Sequence, residues 1–291
     1  MKKKLIALYL LLLAIYSLFT ILYTFYLRHD VQVVEVESVV VEKDEEIETV
    51  IEDNFYQDSN ITISINTYRE YDTDIYVADI VINNPLLLKT ALADNSYGRN
   101  VTKRTSEIAE SVNAILAING DYYGFRDSGY VMRNSVLYRS SERESGSQAL
   151  IVDQEGNFLI KKESEIVDSD IENAKEIFSF GPGLVIDGQI NVDENSEVDQ
   201  SMNSNPRTAI GQIGQLYYVF VVSDGRVDSS RGLSLYQLAL FMKELNCSQA
   251  YNLDGGGTST MVFNGEIINN VVGGRDGDSE RKVSDIVYIG Y

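Results

Sequence analysis

The pattern of hydrophobic and polar positions begins with a long uncharged segment. Residues 5–27 carry no charged side chain and follow three lysines at positions 2–4. A run of roughly 23 residues can cross a bilayer as a helix, whereas the apolar region of a cleaved signal peptide is usually shorter and ends in small residues. Since lysines are retained on the cytoplasmic side, we predict that residues 1–27 form a cytoplasmic tip and an uncleaved signal anchor. The C-terminal part would then be extracytoplasmic.

Residues 28–59 form an acidic segment rich in valine and glutamate. This composition predicts an extended or helical stalk between the membrane and a globular domain, with a small β element as the alternative. After residue 60 there is no low-complexity linker, and the whole chain contains only 3 prolines. We therefore predict one globular domain over residues 60–291.

Strand-like patterns dominate this domain. Apolar residues recur at alternate positions over 61–65 and 74–82, as expected for strands with one buried face. Asp187-Gly188 and Asn264-Gly265 each lie between short apolar runs and predict β-hairpin turns. Many strands and few helices indicate an α+β (mixed α/β) fold, a single domain with a mixed sheet.

Two helix-like segments are each followed by a buried strand that ends at an aspartate. In the unit 234–254, Ser234 and Gln237 match a capping box. The unit 105–121 has the same order of capped helix, short loop, apolar strand and carboxylate. This order would fit a structural duplication, although the two sequences are too different to claim a repeat.

Charge and composition exclude several classes of function. The net charge is −20, which argues against nucleic-acid binding because such proteins need a cationic face. The single cysteine, Cys247, cannot form an intramolecular disulfide. The single histidine, His29, lies beside the anchor, so the domain cannot contain a Ser–His or Cys–His pair or a histidine zinc site.

Polar residues cluster where three predicted strands end. The clusters are Asn119, Asp121 and Tyr122; Asp224 and Arg226; and Asn252, Asp254, Gly255, Gly256, Gly257, Thr258, Ser259 and Thr260. Glycines without a Cβ allow a ligand to approach the backbone closely. Two further arginines, Arg207 and Arg281, offer planar guanidinium groups that match phosphate or carboxylate, with an ordinary salt bridge as the alternative.

Carboxylates beside arginines suit hydrolysis at an acetal carbon next to an anionic group. One carboxylate would act as nucleophile or base and another as acid. When the leaving group is a phosphate ester, arginines can take over much of the acid's role by stabilising the departing charge.

The same motifs, in order, resemble the phosphodiester glycosidase family, to which the uncovering enzyme belongs. They are Asn119-Gly120-Asp121-Tyr122-Tyr123, Pro206-Arg207-Thr208-Ala209-Ile210-Gly211, Ser223-Asp224-Gly225-Arg226, Asn252-Leu253-Asp254-Gly255-Gly256-Gly257-Thr258-Ser259-Thr260 and Arg281-Lys282-Val283-Ser284. The resemblance implies cleavage of a sugar-1-phosphodiester into free sugar and a phosphomonoester. Asp121-Tyr122-Tyr123 and Arg281-Lys282-Val283 depart from the wording common in the family.

The resemblance and the residues together give a working hypothesis. Asp254 would be nucleophile or base with Asp121 or Asp224 as partner, and Arg207 and Arg281 would hold the phosphate. Asn119, the 255–257 amides and the hydroxyls of 258–260 would bind substrate.

The expected substrate is a surface polysaccharide or wall polymer. A non-catalytic glycan-binding module at the membrane and a transglycosylase are the alternatives. No cofactor is predicted, although Asp121, Asp224 and Asp254 leave a divalent cation open.

Overall fold

The computed structural model describes residues 2–22, 32–34, 41, 49–196, 204–273 and 279–291. His29 and most of the predicted stalk lie outside the described residues. The helices are α1 (Lys2–Leu22), α2 (Thr105–Ser111), α3 (Asp168–Asn173) and α4 (Leu235–Glu244). The strands are β1 (Gln32–Val33), β2 (Val50–Glu52), β3 (Phe55–Gln57), β4 (Ile61–Glu70), β5 (Thr73–Ile82), β6 (Leu88–Leu92), β7 (Ser96–Tyr97), β8 (Leu116–Asn119), β9 (Gly129–Arg133), β10 (Val136–Ser141), β11 (Gln148–Asp153), β12 (Phe158–Lys162), β13 (Ala174–Phe178), β14 (Gly183–Ile186), β15 (Gln189–Ile190), β16 (Arg207–Gly214), β17 (Tyr217–Ser223), β18 (Gln249–Asn252), β19 (Met261–Phe263), β20 (Glu266–Ile267) and β21 (Asp285–Ile289).

Three sheets build the domain. A nine-stranded sheet has the order β15-β14-β18-β16-β17-β5-β4-β3-β2, and two five-stranded sheets have the orders β20-β19-β8-β21-β6 and β10-β9-β13-β11-β12. The α+β class with few helices is confirmed. The sheets are not mixed, however: every pairing between described strands is antiparallel.

The sheets contain no parallel pairing between described strands because an antiparallel strand is inserted within each helix–strand unit. The two helix–strand units, β6–α2–β8 and β17–α4–β18, each connect strands that run in the same direction. In both cases an antiparallel strand lies between them, β21 in the first unit and β16 in the second. Helix α4 begins as predicted, since the Ser234 hydroxyl accepts from the Gln237 amide at 3.1 Å and the Gln237 side chain accepts from the Ser234 amide at 2.9 Å.

The largest hydrophobic core joins strands of all three sheets. It includes Ile63 and Ile80 from the β4–β5 hairpin, Leu116 from β8, Leu150 from β11 and Tyr251 from β18. A second core lies where apolar residues of α4 pack on the nine-stranded sheet. Both units with predicted polar strand ends are therefore held between packed layers.

The N-terminal part contains one long apolar helix. Residues Lys4–Leu22 of α1 have a mean hydropathy of 2.6 and are not buried by the rest of the chain, as expected of a membrane span or a signal sequence. Within 28–59, β2 and β3 form a hairpin that pairs with β4. The nine-stranded sheet thus begins at Val50, inside the segment predicted as a stalk, where the small β element had been the alternative.

Candidate active site

The ends of β8, β16 and β18 meet at one place. The backbone amide of Leu253 donates to the carbonyl of Thr208 at 2.9 Å, and that of Asp254 donates to the carbonyl of Gly120 at 3.3 Å. The Asn119 side chain donates to the carbonyl of Asp254 at 2.6 Å. Two clusters that are far apart in the chain are therefore joined through their backbones.

Asn119 is the centre of this junction. Its side-chain oxygen accepts from the Thr208 hydroxyl at 2.8 Å and from the Thr260 amide at 3.2 Å. The residue is fully buried, and both ends of its amide are occupied. Asn119 therefore joins the strand end of β8 to the loop that follows Asp254, and its predicted role in substrate binding stays a prediction.

Two glycines of the 255–257 run lie against guanidinium groups. A Cβ added to Gly256 would lie 2.9 Å from Nη2 of Arg226, and one added to Gly257 would lie 3.0 Å from Nη2 of Arg281. A Cβ added to Gly255 would instead meet the Pro206 carbonyl oxygen at 2.9 Å. Gly256 also has a φ of 68°, a conformation that favours glycine. The bare backbone therefore makes room for guanidinium groups of the protein itself.

Arg226 and Arg281 concentrate positive charge at this loop. Arg226 donates from Nε and Nη2 to the Asn205 side-chain oxygen at 3.0 and 2.6 Å. Partial burial, and then the neighbouring charge of Arg281, lower the pKa of Arg226 below its ordinary value. Two guanidinium groups that repel each other form a site for an anion such as phosphate.

Asp254 lies beside this charge and is only half-buried. Its carboxylate accepts from the Gly255 amide at 3.0 Å and is hydrogen-bonded by Thr258. Loss of solvation raises the pKa of Asp254 to about 6, while those hydrogen bonds and the charges of Arg281 and Arg126 oppose the rise. A carboxylate with a pKa near neutrality can take up and release a proton under physiological conditions.

Asp121 lies in a different environment. Its carboxylate forms a salt bridge with Arg133 at 3.0 Å, and both side chains are 1% exposed. It also accepts from the amides of Tyr123 at 2.8 Å and Ser179 at 3.2 Å. Asp121 is therefore enclosed and its carboxylate is held by these partners, whereas the predicted catalytic role needs a carboxylate that a substrate can reach.

Asp224 is also enclosed. It accepts from the Asn270 backbone at 2.9 Å and side chain at 2.5 Å, and from the Tyr76 hydroxyl at 3.4 Å. Burial raises the pKa of Asp224, although the Asn270 bonds favour its charged form. These contacts attach Asp224 to the 269–273 loop, and its predicted catalytic role stays a prediction.

The remaining predicted residues support the loop. Arg207 is 3% exposed and donates from Nε to the Leu233 carbonyl at 2.9 Å. The Thr258 hydroxyl donates to the Gly255 carbonyl at 2.8 Å, and the hydroxyls of Ser259 and Thr260 are buried. The hydroxyl run therefore turns into the protein, and its predicted contact with substrate stays a prediction.

Two arginines of the site were not among the predicted site residues. Arg226 stands in the recognised 223–226 motif, but its arrival at Gly256 depends on the tertiary fold. Arg126 follows Tyr122 and Phe125 in a short 3-10 turn, and its charge acts on Asp254. The one feature of the sequence that could have indicated Arg126 is its position five residues after Asp121.

A metal centre does not form from the predicted aspartates. Within the described part of the chain, no three His, Cys, Asp or Glu side chains are grouped to hold a metal ion. Cys247 is 2% exposed, and burial raises the pKa of its thiol to about 12, as expected of a structural cysteine.

Comparisons with known proteins identify the family of this chain. Residues 112–290 match the family model for phosphodiester glycosidase. YomE of the SPbeta prophage of Bacillus subtilis is 31% identical over 205 residues, covering 67% of this chain and 31% of YomE. The human N-acetylglucosamine-1-phosphodiester alpha-N-acetylglucosaminidase is 26% identical over 231 residues, covering 70% of this chain and 44% of that enzyme.

The fold is also found among solved structures. The catalytic domain of the zebrafish N-acetylglucosamine-1-phosphodiester alpha-N-acetylglucosaminidase has a TM-score of 0.62 at 19% identity, covering 90% of this chain and 88% of that one. A protein from Synechocystis has a TM-score of 0.59 at 15% identity, covering 84% of this chain and 63% of the other. The present chain spans less than half the length of the curated relatives that it matches.

Proposed function

Because the chain belongs to the phosphodiester glycosidase family, we propose that it is an extracytoplasmic hydrolase of sugar-1-phosphodiesters in a surface polysaccharide or wall polymer. The proposal depends above all on one observation: a half-buried carboxylate with a pKa of about 6 stands beside a glycine loop that lies against the guanidinium groups of Arg226 and Arg281. This arrangement matches a substrate whose reacting carbon lies next to a phosphate.

Asp254 is the residue that would act at the anomeric carbon. It would either attack that carbon or remove a proton from the attacking water. In both routes the bond from the anomeric carbon to the phosphate oxygen breaks, and its electron pair leaves with the phosphate. In the first route the sugar is then bound to Asp254 as an ester, and water attacks the anomeric carbon, releases free sugar and a proton, and regenerates the carboxylate. In the second route the proton of the attacking water passes to Asp254. The phosphomonoester thus formed has a second pKa near 6, so it can depart without a proton.

Arg226 and Arg281 would stabilise the charge that develops on the departing phosphate. This explains how one open carboxylate can suffice where most glycosidases use two. It also gives Asp121 and Asp224 no step in the chemistry, since both are enclosed and partnered.

The location of the activity depends on α1. The lysines before it and its length favour a retained anchor, with the domain outside the cell. Proteolysis of intact cells from outside should remove the domain and leave the N-terminal helix in the membrane fraction. Full protection of the domain would contradict this placement.

The function is tested by product analysis. The full chain in detergent is incubated with nitrophenyl and nucleoside-diphosphate sugar-1-phosphodiesters, with Asp254→Asn as the inactive control. Free sugar and an equimolar phosphomonoester are expected. Transfer to an added acceptor sugar would indicate a transglycosylase, and binding without cleavage would indicate a glycan-binding module; either would contradict the hydrolase.

A further inference from the structure

A polar pocket opens beside Arg126. It encloses about 300 Å³ between the 144–148 turn and residues 180–182, a size at the lower end of small-molecule sites. This pocket was not predicted from the sequence, because its walls come from two segments that contain neither a predicted strand end nor a recognised motif.

The pocket adjoins Asp254. The Gly181 amide donates to the Asn252 carbonyl at 3.1 Å, and the Asn252 side chain donates back to the Gly181 carbonyl at 2.8 Å. Asn252 ends β18, two residues before Asp254. One wall of the pocket is thus fixed to the strand that carries the reacting carboxylate.

Arg126 connects the pocket with Asp254. It lines the pocket, and its charge acts on the Asp254 carboxylate, as does the charge of Arg281. Arg226 and Arg281 lie against Gly256 and Gly257, the second and third residues after Asp254. A substrate with its phosphate at this arginine pair and its reacting carbon at Asp254 would therefore place its ring beside Arg126, in the pocket.

The other wall is preorganised by Arg143. Its guanidinium donates to the buried Glu163 at 2.6 Å, to the Phe180 carbonyl at 2.6 Å and to the Gln148 carbonyl at 2.8 Å. These bonds join the 144–148 turn to the 180–182 segment. The pocket is therefore built before a ligand arrives, which limits the entropy lost on binding.

The lining has the chemistry of a sugar site. The Arg126 guanidinium stands 4.8 Å from the Phe180 ring and 5.3 Å from the Tyr122 ring, and it has no carboxylate at ion-pair distance among the described residues. Glu144 and Ser147 line the pocket too. Guanidinium, carboxylate, hydroxyl and amide groups together complement the hydroxyl rim of a pyranose, whose hydroxyls both donate and accept hydrogen bonds.

We propose that this pocket receives the neutral pyranose ring of the substrate, with Arg126 as a specificity-determining residue at its mouth. The assignment rests on the proposed function for the orientation of the bound ester. The phosphate lies at Arg226 and Arg281, the anomeric carbon at Asp254, and the ring beyond it. The alcohol on the far side of the phosphate then points away from the pocket.

Substitution of one wall residue tests the assignment. Ser147→Trp fills the pocket, and Ser140→Trp is the matched control, since Ser140 is exposed on β10 and does not line the pocket. Two substrate series are compared, one that varies the sugar and one that varies the alcohol. Ser147→Trp should raise KM by about tenfold or more, as for loss of a central contact, and should change the ranking of sugars.

The ranking of alcohols should stay the same in Ser147→Trp, and Ser140→Trp should behave as the unaltered protein. An unchanged sugar ranking, or a change confined to the alcohol series, would overturn the assignment. Arg126→Gln provides a second variant if Ser147→Trp does not fold: it should also alter the sugar ranking at an unchanged alcohol ranking.

Direct binding separates this proposal from the proposed function. Free glucose and free N-acetylglucosamine are titrated into the full chain in detergent and followed by saturation-transfer NMR. Binding that persists in Asp254→Asn but is lost in Ser147→Trp supports the assignment of the pocket to the sugar. If such binding is seen but no phosphodiester is cleaved, the proposed hydrolase function is wrong and the pocket assignment stands. If neither sugar binds the unaltered protein, the pocket assignment is wrong.

Discussion

The two β–α–β units of the domain end in the same residue pattern but place their aspartates in opposite environments. Residues 117–121 and 250–254 both read Ala-x-Asn-x-Asp. Asp121, in the first, is sealed against Arg133. Asp254, in the second, is half-buried beside two guanidinium groups and a glycine loop.

The residues that follow each aspartate account for the difference. Tyr122 and Tyr123 follow Asp121, and the Tyr123 ring is buried against Tyr97. Gly255 and Gly256 follow Asp254 and have no side chain that could cover its carboxylate. The comparison teaches that an aspartate at a strand end stays accessible when small residues follow it and guanidinium groups lie beside them.

The largest expected effect is on catalysis at the open unit. Asp254→Asn should lower kcat/KM by about 10²–10⁴-fold, the usual contribution of a positioned proton-transfer group. Stability at pH 7 should be unchanged or slightly higher, because a charged group that is costly to bury has been removed. Steady-state kinetics and urea unfolding on the same preparation check both parts. A loss of stability would show that Asp254, like Asp121, stabilises the fold through its charge.

Substitution of Asp121, in the enclosed unit, should lower the free energy of unfolding. Asp121→Asn leaves Arg133 without one of its two carboxylates, and breaking a buried pair typically costs about 3–5 kcal/mol in the free energy of unfolding. The matched control is Asp127→Asn, whose side chain is 77% exposed and should cost little. A fully stable but inactive Asp121→Asn would return this residue to the catalytic role.

The pH dependence of activity should follow the open carboxylate. Since Asp254 acts deprotonated and its pKa is raised to about 6, kcat/KM should fall about tenfold per unit as the pH drops below that value. A flat profile between pH 5 and pH 7 would contradict the assignment.

The stability contribution of Asp254 runs in the opposite direction. The folded state holds a proton that the unfolded state releases between the ordinary carboxyl pKa and about 6, so this contribution declines as the pH rises through that interval. Burial also raises the pKa of Asp285 and of Glu176 to about 7, with the same sign. The kinetic profile is therefore the cleaner measurement.

The smallest expected effect comes from the glycine–arginine contacts. In Gly257→Ala the new methyl would meet Gly273 Cα at 2.7 Å and the Arg281 guanidinium at 3.0 Å. Arg281 should shift, raising KM by a few-fold to about tenfold, equal to about 1.4 kcal/mol at most. Gly214→Ala is the control, since its methyl meets nothing within 4 Å, and it should leave KM unchanged. Equal effects of the two substitutions would show that the absence of a side chain at residue 257 does not matter for the position of Arg281.

Local patterns were enough to predict much of the fold. Alternation at 61–65, the Asn264-Gly265 turn and the Ser234 cap depend on neighbouring residues, and each appears in the structure as β4, the β19–β20 hairpin and the start of α4. Strand β9 was not predicted. Its Arg133 resembles a surface residue and is buried only because Asp121 and Asp285 come from distant parts of the chain.

The candidate site shows the same division. The 254–257 motif is contiguous, so its carboxylate and glycines could be recognised in the sequence. The contacts of Gly256 with Arg226 and of Gly257 with Arg281, and the enclosure of Asp224 by Asn270, arise only when segments that are distant in the chain meet. Sequence reasoning therefore identified the loop but could not separate residues that face a ligand from residues that hold the loop.

The short pairing of β1 with β7 has a geometric consequence. Gln32 and Val33 bind Tyr97 and Ser96, and a chain spans at most about 3.3–3.6 Å per residue. With α1 in a bilayer, the ten steps from Leu22 to Gln32 hold that edge of the domain within about 35 Å of the lipid. Tyr97 stacks on Tyr123 at 5.3 Å, so the Asp121 segment would lie near that edge. The domain would then act on polymer that lies close to the membrane.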